Sequence, residues 1–202
     1  MISAGNISAP TLLKHFPLIA KLAVLLLLLE WIGGSTVAAQ ANPSAGASPM
    51  TLALKSSAFE PAAEIPKKHT CDAADVSPAL EWSGLPPRTV SFVLVMDDPD
   101  APNGTWVHWV MWNLSTSAHE LREGVPKRDP LDGGTRQGRN SFGKIGYNGP
   151  CPPRGKPHRY FFRLYALDEK LDLAPGSSNV VLQQAIKDHI IVEADYMGTY
   201  KR

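Results

Sequence analysis

The 202-residue chain has almost no net charge, with Lys+Arg 20 against Asp+Glu 19. An N-terminal stretch with the marks of a leader contains Lys14, Lys21 and Glu30, so the remainder carries both signs equally. Without a basic excess there is no broad field to draw in nucleic acid or an anionic membrane, and any anion must be held by a local site. Cysteine is scarce, at 2 residues, and Cys151 lies between prolines, not at a helix N-terminus that would lower its pKa. Composition excludes collagen-like, coiled-coil and multi-span membrane classes, and no internal repeat is visible. Catalytic motifs are missing too. There is no GxSxG, no HxH or HExxH, no phosphate-cradling P-loop and no GxGxxG, so neither a metal nor a cofactor is expected.

What is present begins with the leader. Lys14, His15 and Lys21 precede the apolar run Leu22 to Leu29, and small residues follow around Val37-Ala38-Ala39-Gln40-Ala41. That pattern predicts a secretory signal over 1–39, cut after Ala39 or Ala41. A transmembrane anchor is the other reading, but Glu30 and Gly33-Gly34 interrupt the run short of the ~20 residues that span a bilayer. Export to an oxidising periplasm, if the source is Gram-negative, lets Cys71 and Cys151 be read as a disulfide; two free thiols is the alternative. Residues 40–49, QANPSAGASP, read as a flexible tether, and 50–202 as a single domain of ordinary size.

Strand signals cover Val90–Asp97, Val107–Leu114, Arg159–Leu167 and Ile190–Tyr200, with weaker ones at Thr51–Lys55 and Ala79–Trp82. One helix is predicted over Asn179–His189, capped by Ser178. The fold class is mostly β. Ser115–Pro157 is so rich in Gly, Pro, Arg and Asp that it reads as surface loop, and loops of that length are usually functional.

Three clusters could carry chemistry. Asp97-Asp98-Pro99-Asp100-Ala101-Pro102 ends a strand at two prolines and leaves carboxylates at its mouth. In Trp106–Trp112, strand alternation puts His108 with Val110 and Trp112, either in the core or on a pocket floor. In Gly149–Tyr160 a stiff Gly/Pro loop enters a strand on which His158 and Tyr160 share a face. Such a rim offers an imidazole, a phenol and loop N–H groups to a small anion, while Arg159 points the other way, turned inward, and needs Asp98 or Asp100 as partner.

With these clusters in place the sequence resembles the phosphatidylethanolamine-binding protein family in its bacterial Raf-kinase-inhibitor-like branch. The matching stretches are HTCDAADVSPALEW, DDPDAP, VHWVMWN, NSFGKIGYNGPCPPRGKPHRY and the C-terminal GTYKR; Ala73-Ala74 departs from the branch's usual glycine. The resemblance implies a large central antiparallel sheet, a smaller sheet, peripheral helices including a C-terminal one, and an anion pocket at one end. It assigns ligand binding to Asp98, Pro102, His108, Gly149, Pro152, Pro153, His158 and Tyr160, with Asp100 and Arg159 as structural support. The implied function is an exported binding protein for phosphate or a phosphorylated head group, not an enzyme, with a protein partner of unknown kind and a homodimer left open. The alternative from another class is a small hydrolase or phosphotransferase that uses His108 or His158 as general base, oriented by Asp98.

Overall fold

The computed structural model describes residues 51–202; the leader over 1–39, the tether over 40–49 and the domain start at Met50 lie outside the described residues. In chain order the strands are β1 (Ala53–Lys55), β2 (Leu80–Ser83), β3 (Ser91–Asp98), β4 (Trp106–Leu114), β5 (Glu120–Leu121), β6 (Arg136–Gln137) and β7 (His158–Leu167). One helix, α1 (Asn179–Ile186), then precedes β8 (Ile190–Tyr200). The strands form two antiparallel sheets, β6-β4-β3-β7-β8 and β1-β2-β5.

The large sheet is covered on both faces, so all residues of its central strand β3 are buried instead of alternating. Phe92, Leu94 and Met96 enter a core shared with Leu54, Leu80 and Trp82 of the small sheet. Val93 and Val95 enter a second core closed by Leu182 and Ile186 of α1. The long stretch between β4 and β7 is mostly irregular, with only β5, β6 and a 3-10 turn, Asp132–Gly134, within it.

Three details differ from the sequence-based expectation. Among the described residues the helical content is one short α-helix plus 3-10 turns at Lys67–His69 and Asp132–Gly134, fewer helices than the resemblance implies, while α1 precedes the last strand in the order that the sequence predicts. The helix stops at Ile186; His189 meets Asp168 and Glu169 instead of continuing the apolar face. Ser178 does flank the helix, and its carbonyl accepts the Leu182 N–H, but its hydroxyl makes no capping bond.

A further difference shapes the site. Met96 faces Trp109 across the β3–β4 ladder while Asp97 faces Val107, so His108 is the extra residue of a β-bulge. Past the bulge the faces exchange. Val107 joins Val110 and Trp112 in the helix-side core, and His108 turns to the opposite face, against Tyr160. Plain alternation groups His108 with Val110 and Trp112; the bulge reverses that.

Candidate functional site

The ends of β3, β4 and β7 meet at one edge of the large sheet and form a cavity of about 210 Å³. Pro99 and Pro102 follow β3 and cannot extend its ladder, which leaves Asp98 at the strand's mouth. Each carboxylate oxygen has a partner: Oδ1 accepts the Asp100 N–H at 2.9 Å and Oδ2 accepts from His158 Nδ1 at 2.8 Å. Asp97, on the other face, is taken by Arg163 Nε at 2.8 Å.

His108 is 2% exposed and donates from Nδ1 to the Asn148 carbonyl oxygen at 2.7 Å. The rings of Phe142 and Tyr160 stand edge-on to it, each with centroids 5.3 Å away. Burial, the largest influence, holds this imidazole below its ordinary pKa. The Asn148 segment is in turn stitched to β4, since Asn140 Nδ2 donates to Gly146, Asn148 and His108 oxygens.

Of the residues assigned to ligand binding, Asp98, Pro102, His108, Pro152, Pro153 and His158 line the cavity together. Tyr160 does share a face with His158, but it is wholly buried beneath His108 and is not part of the lining. Its hydroxyl lies beside the Asp98 carboxylate without a well-formed hydrogen bond, and burial, then that charge, push the phenol far up. Gly149 is not in the lining either. Its Cα passes so close to the His69 carbonyl oxygen that a Cβ would lie 2.0 Å from it. Its N–H goes to Asp75 Oδ1 at 2.6 Å, and Pro150, Pro152 and Pro153 have none, so these residues do not supply the expected N–H groups.

Arg159 requires a correction. It does point away from His158 and Tyr160, but it lies exposed at the surface and is not turned inward. Of the two acids considered, its partner is Asp100, gripped by Nε at 2.9 Å and Nη2 at 2.7 Å, with the Arg159 backbone N–H on the same carboxylate. This hydrogen-bonded guanidinium holds the Asp100 carboxyl down to about 2. Cys71 and Cys151 are joined in a disulfide, which pins the segment after the Lys67–His69 turn to the proline loop at the cavity wall.

Sequence reasoning missed Asp75, Trp106 and Phe142. Asp75, at φ +54°, fixes the loop through Gly149 N–H, Asn148 Nδ2 at 3.2 Å and Lys127 Nζ at 2.7 Å. Nothing in its local sequence marks it beyond a turn. Trp106 and Phe142 stack edge-to-face 5.4 Å apart at the rim, each more than a third exposed. For Trp106 the aromatic strand was the available signal.

Two packed antiparallel sheets with a small, histidine-bearing cavity at a strand end define a binding-protein fold, and the comparisons name it. Residues 55–201 match the family model described as phosphatidylethanolamine-binding protein, and the chain belongs to that family. A UPF0098 protein of Methanothermobacter thermautotrophicus is 47% identical over 149 residues, 74% of this chain and 98% of the relative. Among solved structures, Escherichia coli YbcL, described as a new member of the mammalian PEBP family, matches with TM-score 0.71 and 32% identity over 75% of this chain and 98% of its own. The PEBP homologue CT736 of Chlamydia trachomatis matches with TM-score 0.69 and 39% identity over 76% of this chain and 99% of its own.

Proposed function

We propose that the chain is an exported binding protein whose cavity holds phosphate or the phosphorylated head of a larger molecule. The observation that carries this reading is the convergence of His108, His158 and Asp98 on one cavity of about 210 Å³. That is below the ~300 Å³ where drug-sized pockets begin, so it suits a head group and leaves the rest of a ligand outside. Family membership supports the same ligand class through the family's name. Export is supported by the leader and by the Cys71–Cys151 disulfide, which suits an oxidising compartment. The loops around the mouth are the surface that a protein partner, or a second copy in a homodimer, would meet.

Calorimetric titration with phosphate and phosphoethanolamine tests the ligand: saturable one-to-one binding is expected, and no heat with either overturns the reading. N-terminal sequencing of the exported protein tests the leader. A start at Gln40 or Asn42 is expected; a membrane-retained protein starting at Met1 overturns export.

One observation favours a second reading. The Asp98–His158 pair at 2.8 Å has the geometry of an oriented general base, able to activate water for hydrolysis of a phosphate ester. Turnover of p-nitrophenyl phosphate that disappears in His158→Ala would establish it, and its absence in wild type would remove it.

A further inference from the structure

The His108 Nδ1 partner is the Asn148 carbonyl oxygen, and the His158 Nδ1 partner is an Asp98 carboxylate oxygen. Both partners can only accept, so both Nδ1 atoms carry a proton, and in a neutral imidazole Nε2 is then a bare acceptor. His108 is kept in that neutral form: burial pulls it down against the opposing pull of the Asn148 and Gly149 backbone and the Asp98 and Asp75 carboxylates. The titratable groups around it are Asp98 from β3, His158 and Tyr160 from β7, and Asp75 through the Asn148–Gly149 segment.

Permanently cationic donors are lacking around this acceptor, since neither lysine nor arginine is among the described residues lining the cavity. The uncharged side-chain donors in the lining are the Asn103 amide and the Trp106 indole. Pro102, Pro152 and Pro153 have no N–H, the Gly149 N–H is committed to Asp75, and the Tyr160 hydroxyl lies buried below. A fully deprotonated oxyanion would present lone pairs to the lone pair of His108 and to the charge of Asp98.

We propose that the cavity selects an oxyanion that still carries a proton: phosphate, or a phosphomonoester, in its singly charged form. The ligand's P–OH donates to His108 Nε2, and an unprotonated oxygen accepts from His158 Nε2–H when that imidazole is charged against Asp98. This rests on the anion-binding reading above and adds the ligand's protonation state. Sulfate has the same shape and no proton to give, and a phosphodiester likewise lacks an O–H. A site built to accept from a ligand hydroxyl discriminates strongly against analogues that lack it.

The test is calorimetric titration of the wild-type domain at pH 6 with inorganic phosphate, phosphoethanolamine, sulfate and dimethyl phosphate, a diester without any hydroxyl. Phosphate and phosphoethanolamine should bind at least about tenfold more tightly than sulfate and the diester. Phosphoethanolamine affinity should fall about tenfold per pH unit above the second ionisation of a phosphomonoester, near 6. The ratio of phosphoethanolamine to free phosphate distinguishes a head-group site from an inorganic phosphate site. Sulfate or the diester binding as tightly as phosphate overturns this proposal and leaves the anion pocket standing; binding by none of the four overturns both. Nitrogen-15 spectra of the imidazoles supply a readout without ligand. They should show His108 as the Nδ1–H tautomer at pH 7, and a neutral Nε2–H form or an imidazolium there also overturns it.

Discussion

His108 shows how little of a histidine's role is decided by its identity. Its Nδ1 is tied to a carbonyl and its ring is enclosed by two aromatics, so it remains neutral where an exposed histidine would begin to charge. His69 is similar: it is wholly buried, bonded from Nδ1 to Val76 O, with Nε2 unpartnered and 3.7 Å from Glu123 Oε2. Burial lowers its pKa as well. In the unfolded chain both groups titrate near 6.5, above their folded values, so the unfolded state binds more protons between the two. Their stabilising effect is complete above about pH 6.5 and is lost as pH falls toward the folded values, each at no more than ~1.4 kcal/mol per pH unit. Thermal melting scanned from about pH 7.5 to 5 should show this decline, and a flat Tm would contradict it. His158→Ala should weaken phosphate tenfold or more, since one charge-assisted hydrogen bond is worth about 1.5–3 kcal/mol. Tyr160→Phe should behave differently. Its hydroxyl is buried without a good hydrogen bond, so removing it should leave chemical-denaturation stability unchanged or raise it by up to about 1 kcal/mol.

Among the elements, the 149–153 loop depends on contacts from outside its own sequence. Gly149 packs on the His69 carbonyl, and Tyr147 Oη donates to that same oxygen at 2.6 Å. The backbone at Gly149 does not occupy the left-handed region, so the demand for glycine comes from proximity alone. Gly149→Ala should therefore cost more than about 2 kcal/mol in urea unfolding, as overpacking against backbone does, and weaken ligand binding with it. Asp75→Ala tests the same element without a clash. It releases the Gly149 N–H and Asn148 Nδ2 together, and should destabilise by about 1–3 kcal/mol. A variant as stable as wild type would mean that the loop holds its shape without Asp75.

Across the whole molecule the disulfide is the long-range constraint, joining positions 80 apart in sequence. In the chain-entropy account a loop of that size is worth up to about 4.5 kcal/mol, less any native strain. The double variant Cys71→Ser, Cys151→Ser should unfold at clearly lower denaturant than the oxidised wild type, with the same circular dichroism spectrum before the transition. Equal midpoints would show that the network of Asp75, Tyr147 and Cys71 N–H to Pro150 O already holds the wall of the cavity in place.

The large-sheet strands were legible because β-branched and aromatic residues cluster between turn formers, and their boundaries fell within a residue or so of those observed. The pairing of His158 with Tyr160 on one face was legible too, because alternation along an unbroken strand needs only local geometry. The face of His108 was not, because a bulge is set by the register against β3, and one extra residue exchanges the faces beyond it. Arg159 was read as turned inward because alternation separates faces without saying which is covered. Only the packing of the two sheets and α1 determines that. Asp75 and Phe142 were missed for a related reason: Asp75 is tied to Asn148 and Gly149, and the loop that carries Phe142 is tied to β4 through the neighbouring Ser141 and Val107, and no local pattern encodes those distant partners. The residue types at the cavity were thus determined by the sequence itself, while which of them face it, and which nitrogen of each histidine remains free, were decided by tertiary contacts.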